Sequence, residues 1–483
     1  MSVLENCQPK KVFVFFEELC AIPHGSHNTK AISDYCVAFA KSRGLAVEQD
    51  THNNVIIRKA ASAGYEHAPA VILQGHLDMV CVKDADCPKD MAKEGLDLVV
   101  EGDFIRAKGT SLGGDDGIAV AMALAILDDD TLPHPALEAL FTVDEEVGML
   151  GAMALDFSSL KGRWLINIDS EEEGIITVGC AGGTTLDCLL PLHREECHGV
   201  CCTVTISGLT GGHSGAEIHK GRASATALLG RLLQEMMGSA APYSLVTLQG
   251  GTVGNAIPCT AEATLVASAG DVAALQAACA QCAAVLRHEY AVTDGDMSIT
   301  FAAGEETTVS AVDAAGTNAA VFALAQLPQG VVTMSQDMEG LVQTSLNLGV
   351  LTMSESEMLM RFTIRSSVES QKLWLRHRLE GFMAFVGGKA EVVTDYPGWE
   401  FRRDSALREL VVACYREQYG AEPEVAAIHA GLECGILCGK APDLDCVSIG
   451  PDIHDIHSPQ ERLSISSTQR VYELVLKVLE KCK

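Results

Sequence analysis

Apolar runs separated by glycine-rich turns organise the first third of the chain. Val12 to Leu19 and Lys30 to Arg43 carry helical periodicity. The second has Ser26 and Asn28 near its start and Gly44 just past its end, the usual start and stop signals of a helix. Asn54 to Lys59 and Ala70 to Gln74 read as strands. Around the second, Val71-Ile72-Leu73-Gln74-Gly75 is uncharged and rich in aliphatic and β-branched residues, which predicts a strand buried on both faces of a parallel sheet. Leu96 to Ala107, centred on Glu101-Gly102-Asp103, predicts a hairpin. The turn Gly109 to Gly114 leads into an apolar helix from Asp116 to Leu127, followed by buried strands at Leu137 to Val143 and Trp164 to Ile168. Such alternation predicts an α/β fold, a mostly parallel sheet with helices on both faces, whose ligands gather at the carboxyl ends of the strands.

The texture changes near Leu186. Strands alternate polar and apolar residues more cleanly, the helices Arg222 to Met237 and Val272 to Val285 are alanine-rich, and turns such as Gly208 to Gly215 are dense in glycine. Residues 187–395 are therefore expected to form an inserted α+β domain between two parts of the first domain, 1–186 and 396–483, with Glu391 to Pro397 as the return strand. A strand at Val447-Ser448-Ile449 follows. The last helix carries Val471, Leu474, Val475 and Val478 as one apolar stripe. No solenoid repeat or low-complexity segment interrupts the pattern.

A chain of 483 residues exceeds the usual size of one core, so two or three domains are expected. With 48% hydrophobic and 20% charged residues the composition is that of a soluble globular protein. The net charge of −29 argues against nucleic acid or an anionic membrane as partner. The longest apolar run, Gly117 to Leu127, is too short to span a bilayer, and Met1 to Lys11 lacks the apolar core of a secretory signal. Eighteen cysteines are scattered through apolar segments as small buried hydrophobes, which favours a reducing cytoplasm over a disulfide framework. Cys201-Cys202, and Cys434 with Cys438 at helical spacing, are the thiol pairs open to metal, but no Cys-x-x-Cys pairs with another.

The candidate chemistry sits where strands should end. His76 and Asp78 lie two apart in an extended segment and point to one side, so Asp78 can orient the His76 ring and leave its other nitrogen for metal. Four more clusters follow: Gly113-Gly114-Asp115-Asp116-Gly117, Asp144-Glu145-Glu146, Ile168-Asp169, and His454-Asp455-Ile456-His457-Ser458-Pro459. Any one could be a cap or a solvated edge. Together they supply oxygen and imidazole donors without thiolate, a set suited to zinc, cobalt or manganese.

In this order the motifs resemble the zinc-dependent aminoacylase/carboxypeptidase superfamily. Gly212-His213-Ser214-Gly215-Ala216-Glu217-Ile218-His219, Gly254-Asn255-Ala256-Ile257-Pro258 and His429-Ala430-Gly431-Leu432-Glu433-Cys434-Gly435 are similar to its aminoacyl-histidine dipeptidase branch. The resemblance implies a two-metal catalytic domain with an inserted lid and dimerisation domain, and hydrolysis of dipeptides such as β-alanyl-histidine. It implies His76, Asp115 and Asp169 on one zinc, and Asp115, Glu146 and His457 on the other, with Asp115 shared. Three carboxylates and a hydroxide would balance two divalent ions. Glu145 would be the general base acting on the metal-bridging water, Asp78 the partner of His76, and His213 the lid group at the oxyanion, with His219 its alternative. Asn255, Arg365 and Gly431 would contact substrate, Arg365 as a fork for the terminal carboxylate. A homodimer is implied, with His213 acting in its own chain or its partner's.

Other readings remain at this stage. An aminoacylase or longer-peptide carboxypeptidase would use the same metal chemistry. A thiol hydrolase built on Cys434 and His429, or a non-catalytic metal- or peptide-binding protein, would leave the carboxylate clusters or Glu145 unexplained.

Overall fold

The structure, a computed structural model, describes residues 3–483; the first two positions of the expected N-terminal segment lie outside the described residues. Two compact units divide the chain. One takes in the chain up to Gly179, Trp399–Ala427 and Leu432–Lys483; the other is Cys180–Gly398 with Ile428–Gly431.

The first unit is built on an eight-stranded sheet in the order Ala46–Gln49, Val55–Lys59, Leu137–Thr142, Val71–His76, Trp164–Asn167, Asp445–Ser448, Ile175–Cys180, Glu424–Ile428. Its centre is parallel: Val71–His76 lies between Leu137–Thr142 and Trp164–Asn167, and the latter pairs with Asp445–Ser448. The strands toward the Ala46–Gln49 edge are antiparallel. Every residue of Val71–His76 and Leu137–Thr142 is buried, as expected of strands covered on both faces. The register pairs His76 with Thr142 and Gln74 with Asn167, so two strands end level, the third two residues short, and all three release their loops at one rim. Beneath them the helix Gly114–Leu127 is buried all round from Gly117 onward. A Cβ at Gly117 would meet the Phe16 ring at 3.4 Å.

The hairpin is present as Leu98–Glu101 and Phe104–Ala107, and joins Arg462–Ser464 and Ile453–His454 in a four-stranded sheet. The cap of Lys30–Ser42 departs from expectation. Thr29 occupies the cap position without a side-chain bond. Ser26 instead donates to Asp78 (2.8 Å) and Asn28 to the Ala92 carbonyl (3.1 Å), so the polar residues before this helix serve the rim.

The second unit is built on a nine-stranded sheet that contains one topology twice. An inner module runs strand Arg194–Ser207, helix Ala225–Met237, strands Ser244–Gly250 and Ala261–Ala267, helix Val272–Glu289, strand Ser298–Val312. An outer module repeats the sequence of elements: strand Gly182–Pro191, helix Ala314–Gln326, strands Val342–Met353 and Glu357–Ser366, helix Glu369–Phe385, strand Lys389–Tyr396. Within each, the sheet order is fourth, first, third, second, and the second strands meet at the seam through Gln249–Thr352 and Gly250–Leu351. The extra strand Gly330–Met334 covers the other half of the Val342–Met353 edge. The inner module enters and leaves at one place, where Arg194 faces Val312 and the Asp313 N–H donates to the His193 carbonyl at 2.9 Å.

Two expectations change here. The boundary at 186/187 falls inside Gly182–Pro191, the outer module's first strand. Glu391 to Pro397 is no return strand to the first sheet, because Lys389–Tyr396 hydrogen-bonds antiparallel to Gly182–Pro191. Among the described residues no helix is long and apolar enough to cross a membrane.

Candidate metal centre

The rim of the first unit gathers the predicted ligands. His76 ends its strand fully buried, with Nδ1 at 2.9 Å from the Asp78 backbone carbonyl. That contact places the ring proton on Nδ1 and turns the Nε2 lone pair outward. Nε2 lies 3.1 Å from Asp115 Oδ1 and 3.6 Å from Asp169 Oδ1. On the other side of Asp115, His457 Nε2 lies 3.3 Å from Asp115 Oδ2 and 2.9 Å from Glu146 Oε1. Asp115 thus stands between two imidazoles, one oxygen toward each. His454, on Ile453–His454, packs instead beside the Phe104 ring at 5.7 Å.

Asp78 departs from its expected contact. Its carboxylate is 3.6 Å from the His76 ring, and it accepts instead from the backbone N–H of Glu145 (3.0 Å) and Glu146 (3.3 Å) and from the Ser26 hydroxyl. The backbone carbonyl is the nearer acceptor because the strand turns directly after His76. Asp78 therefore fixes the turn that carries both glutamates.

Four neighbouring carboxylates were not singled out from the sequence. Asp116 accepts the His76 backbone N–H at 3.1 Å, and its other oxygen has no partner among the described residues. His76, Asp116 and Asp169 also offer donor atoms within 4.8 Å of one another. Asp115 has one oxygen within 3.1 Å of His76 Nε2 and the other within 3.3 Å of His457 Nε2. Glu461 accepts the N–H groups of Leu112 (2.7 Å), Gly113 (3.2 Å) and Gly114 (2.8 Å), holding the Gly-Gly-Asp-Asp turn. Glu433 accepts from Gln74 and Thr142, both at 2.6 Å. Glu171 completes the set; burial and the charges of Asp115 and Asp169 push its carboxyl up to about 7. Glu433 and Glu461 stand inside or beside motifs already read, so position gave the only available signal.

The rim holds more negative charge than its imidazoles balance. Burial pushes Glu145 up to about 9, with Asp169, Glu433 and Glu146 adding to it against His76. Burial and nearby Asp115 and Glu146 raise Asp169 to about 6, against the pull of His76. Hydrogen bonds to Asp115 and Glu146 raise His457 to about 10. Buried Asp115 is nevertheless held well below the usual carboxylate range by its bonds to His457 and His76. Such a cavity favours added positive charge, and its oxygen and nitrogen donors without sulfur suit a hard or borderline divalent cation. Left-handed backbone at Asp144 (φ 54°), Asp455 (φ 54°) and His457 (φ 57°) concentrates strain on the loops that carry these groups.

The remaining predicted residues lie in the second unit. His213 pairs with Ala256, and its Nδ1 accepts the Ala216 N–H at 2.9 Å, which leaves the proton of a neutral ring on Nε2. Burial and Arg365 lower its pKa. A Cβ on Gly215 would come within 3.0 Å of the His213 ring, 3.1 Å of Arg365 Nε and 2.4 Å of the His429 carbonyl, so these three converge there. Arg365 is 6% exposed, and among the described residues its Nε has no partner and no carboxylate lies within ion-pair distance of it. Asn255 is exposed, with its carbonyl accepting from Ser214 at 2.8 Å; Gly431 is half-buried, and His219 is exposed. His429 Nε2 lies 2.7 Å from Ser345 Oγ. The Cys434 thiol is fully buried and pushed up by that burial, which removes the thiolate a thiol hydrolase needs.

A central parallel sheet whose rim collects carboxylates and imidazoles defines a candidate centre for divalent metal. Residues 267–481 match Peptidase family M20/M25/M40, and residues 204–294 match the Peptidase dimerisation domain, within the inner module. The cytosol non-specific dipeptidase of Escherichia coli is 37% identical over 484 residues, covering 99% of each chain. The crystal structure of the aminoacylhistidine dipeptidase from Vibrio alginolyticus superposes with a TM-score of 0.93 at 34% identity, covering 99% of this chain and 97% of that one. The aminopeptidase PepT of Bacillus cereus shares the fold at a TM-score of 0.56 and 15% identity, over 99% of each chain. The chain belongs to peptidase family M20/M25/M40.

Proposed function

We propose that this chain hydrolyses the peptide bond of dipeptides, aminoacyl-histidines such as β-alanyl-histidine among them, using two divalent cations. Zinc is the first choice, with cobalt or manganese as alternatives. The observation that carries this reading is Asp115 lying between His76 Nε2 (3.1 Å) and His457 Nε2 (3.3 Å) at a rim of excess negative charge. The names of the two full-length relatives support the substrate class.

His76, Asp115 and Asp169 would hold one cation, and Asp115, Glu146 and His457 the other. When bound, such ions polarise a carbonyl and lower the pKa of water to near neutrality. Glu145 is the general base. Its backbone is pinned by Asp78, and its carboxylate accepts a proton and returns it to the leaving amine. His213, neutral with its proton on Nε2, is a donor suited to a developing oxyanion. Arg365, a buried guanidinium without a carboxylate of its own, suits the terminal carboxylate of a dipeptide, with Asn255 and Gly431 as further substrate contacts. The dimerisation match supports a homodimer, and the relative's name supports the cytosol.

The test is a chelated protein assayed before and after zinc is restored, on β-alanyl-histidine, α-dipeptides, a tripeptide and an N-acetyl amino acid. Activity on dipeptides should vanish and return with metal, and a thiol alkylator should leave it intact. A preference for the acetylated compound would instead favour an aminoacylase.

A further inference from the structure

We propose that Tyr396 is the positioning residue of Arg365: its hydroxyl holds Nη1 of the guanidinium and so aims the remaining donors at the terminal carboxylate of a dipeptide. This rests on the dipeptidase reading above and deepens it, by naming what sets the direction of the carboxylate contact.

The arrangement begins in the register of the outer module. Arg365 pairs with Gly183, and Gly183 with Tyr396, so the three form one row across the strands Glu357–Ser366, Gly182–Pro191 and Lys389–Tyr396. Residues directly opposite one another in a sheet share a face. Gly183, in the middle, has no side chain, and the Tyr396 ring lies over it: a Cβ there would come within 2.5 Å of the hydroxyl oxygen and 2.6 Å of the ring carbon that bears it. A glycine inside a strand weakens it and leaves room for another group to approach. Here that group is the phenol, which crosses the glycine strand to reach Arg365 Nη1 at 3.4 Å. Tyr396 is itself held. The Lys372 ammonium, 2% exposed, donates to its carbonyl at 2.6 Å, and its other contacts are Asp395 (3.0 Å) and Glu369 (3.1 Å). Asp395 in turn accepts from the hydroxyl of Thr184, next to Gly183, at 2.5 Å.

The chemistry of the partner carries the argument. A buried guanidinium is ordinarily paired with a carboxylate. The one hydrogen bond that Arg365 makes among the described residues goes instead to a neutral phenol. A phenol oxygen accepts from the guanidinium without cancelling its charge, whereas a carboxylate in that place would form the ion pair that a ligand should form. The bond occupies Nη1 and leaves Nε, buried and without a partner among the described residues, as part of a two-pronged donor. An arginine side chain loses much rotamer freedom when it binds. Tyr396 removes part of that freedom before a ligand arrives, so less is lost on binding.

The experiment uses the zinc-loaded full chain and the dipeptide that the wild type cleaves fastest. Tyr396→Phe keeps the ring over Gly183 and removes only the hydroxyl. It should raise KM about tenfold, the loss of one hydrogen bond to a charged group, with the larger part of the change in KM rather than kcat. Gly183→Ala keeps both partners but puts a methyl group where the phenol lies, and should raise KM in the same direction. A double-mutant cycle separates positioning from support of the fold. Added to Arg365→Ala, Tyr396→Phe should cost less than about twofold, because no guanidinium is left to orient. Calorimetric binding of the product that keeps the carboxylate gives the same cycle without turnover. Unchanged KM in Tyr396→Phe, or losses that multiply in the double variant, would overturn the proposal. A wild-type chain that cleaves no dipeptide would overturn the dipeptidase reading instead, which is a different result.

Discussion

Asp78 accepts the backbone N–H groups of both Glu145 and Glu146 and the hydroxyl of Ser26, so one buried carboxylate sets the turn that presents two others. Replacing it with Ala should cost 10–100-fold in metal affinity or activity, roughly the effect of losing a group that orients ligands; metal titration against activity would measure it. Glu145→Gln separates base from ligand. Bound metal should persist by elemental analysis while turnover falls by about 10²–10⁴; parallel loss of metal would reverse the roles of Glu145 and Glu146. His429 offers a test by pH in the second unit. Burial, then the Arg365 charge, lower it from 6.5 to about 3, so the folded state binds fewer protons than the unfolded. Its contribution is complete above 6.5 and is lost as pH falls toward 3, by up to about 1.4 kcal/mol per pH unit. His429→Asn should flatten the fall of the denaturation midpoint between pH 6 and 4. At this scale the sequence revealed residue types and order. It left open which atom of Asp78 faces His76, because backbone carbonyl and carboxylate lie on one residue and only the path of the strand decides between them.

The turn Leu112–Asp115 shows what an element needs beyond its own residues. Its successive backbone N–H groups converge on Glu461, from the loop that also carries His457. Glu461→Ala would leave those buried donors unpaired, at about 1–3 kcal/mol each. A fall in melting temperature with weaker metal binding is the expected result, and Glu461→Gln should recover part of both. The central strands were legible because burial on both faces leaves an unbroken apolar run, and their register explains why the clusters that follow these three strands meet at one rim. Ser26 and Asn28 misled for a physical reason: the side-chain chemistry that caps a helix equally ties a loop to a neighbouring carboxylate or backbone carbonyl, and the structure uses Ser26 for the first and Asn28 for the second.

Across the whole chain, the change of texture near Leu186 is the mark from which an inserted domain is expected, whereas the duplication inside the second unit leaves no mark in the sequence. A strand-helix-strand-strand-helix-strand module asks only for apolar periodicity, which many unrelated sequences satisfy, so two copies need share no recognisable residues. The doorway at His193 and Asp313 makes the inner copy a detachable loop: joining those two residues directly would delete it without stretching the outer strands. The shortened protein would keep Arg365 but lose His213 and Asn255, so it should retain metal and lose catalysis. It would also bare the stretch of Val342–Met353 that the inner copy had covered, and a raw strand edge recruits others like it. Light scattering should then report open-ended association larger than the homodimer proposed for the intact chain, which carries its own guard for that edge.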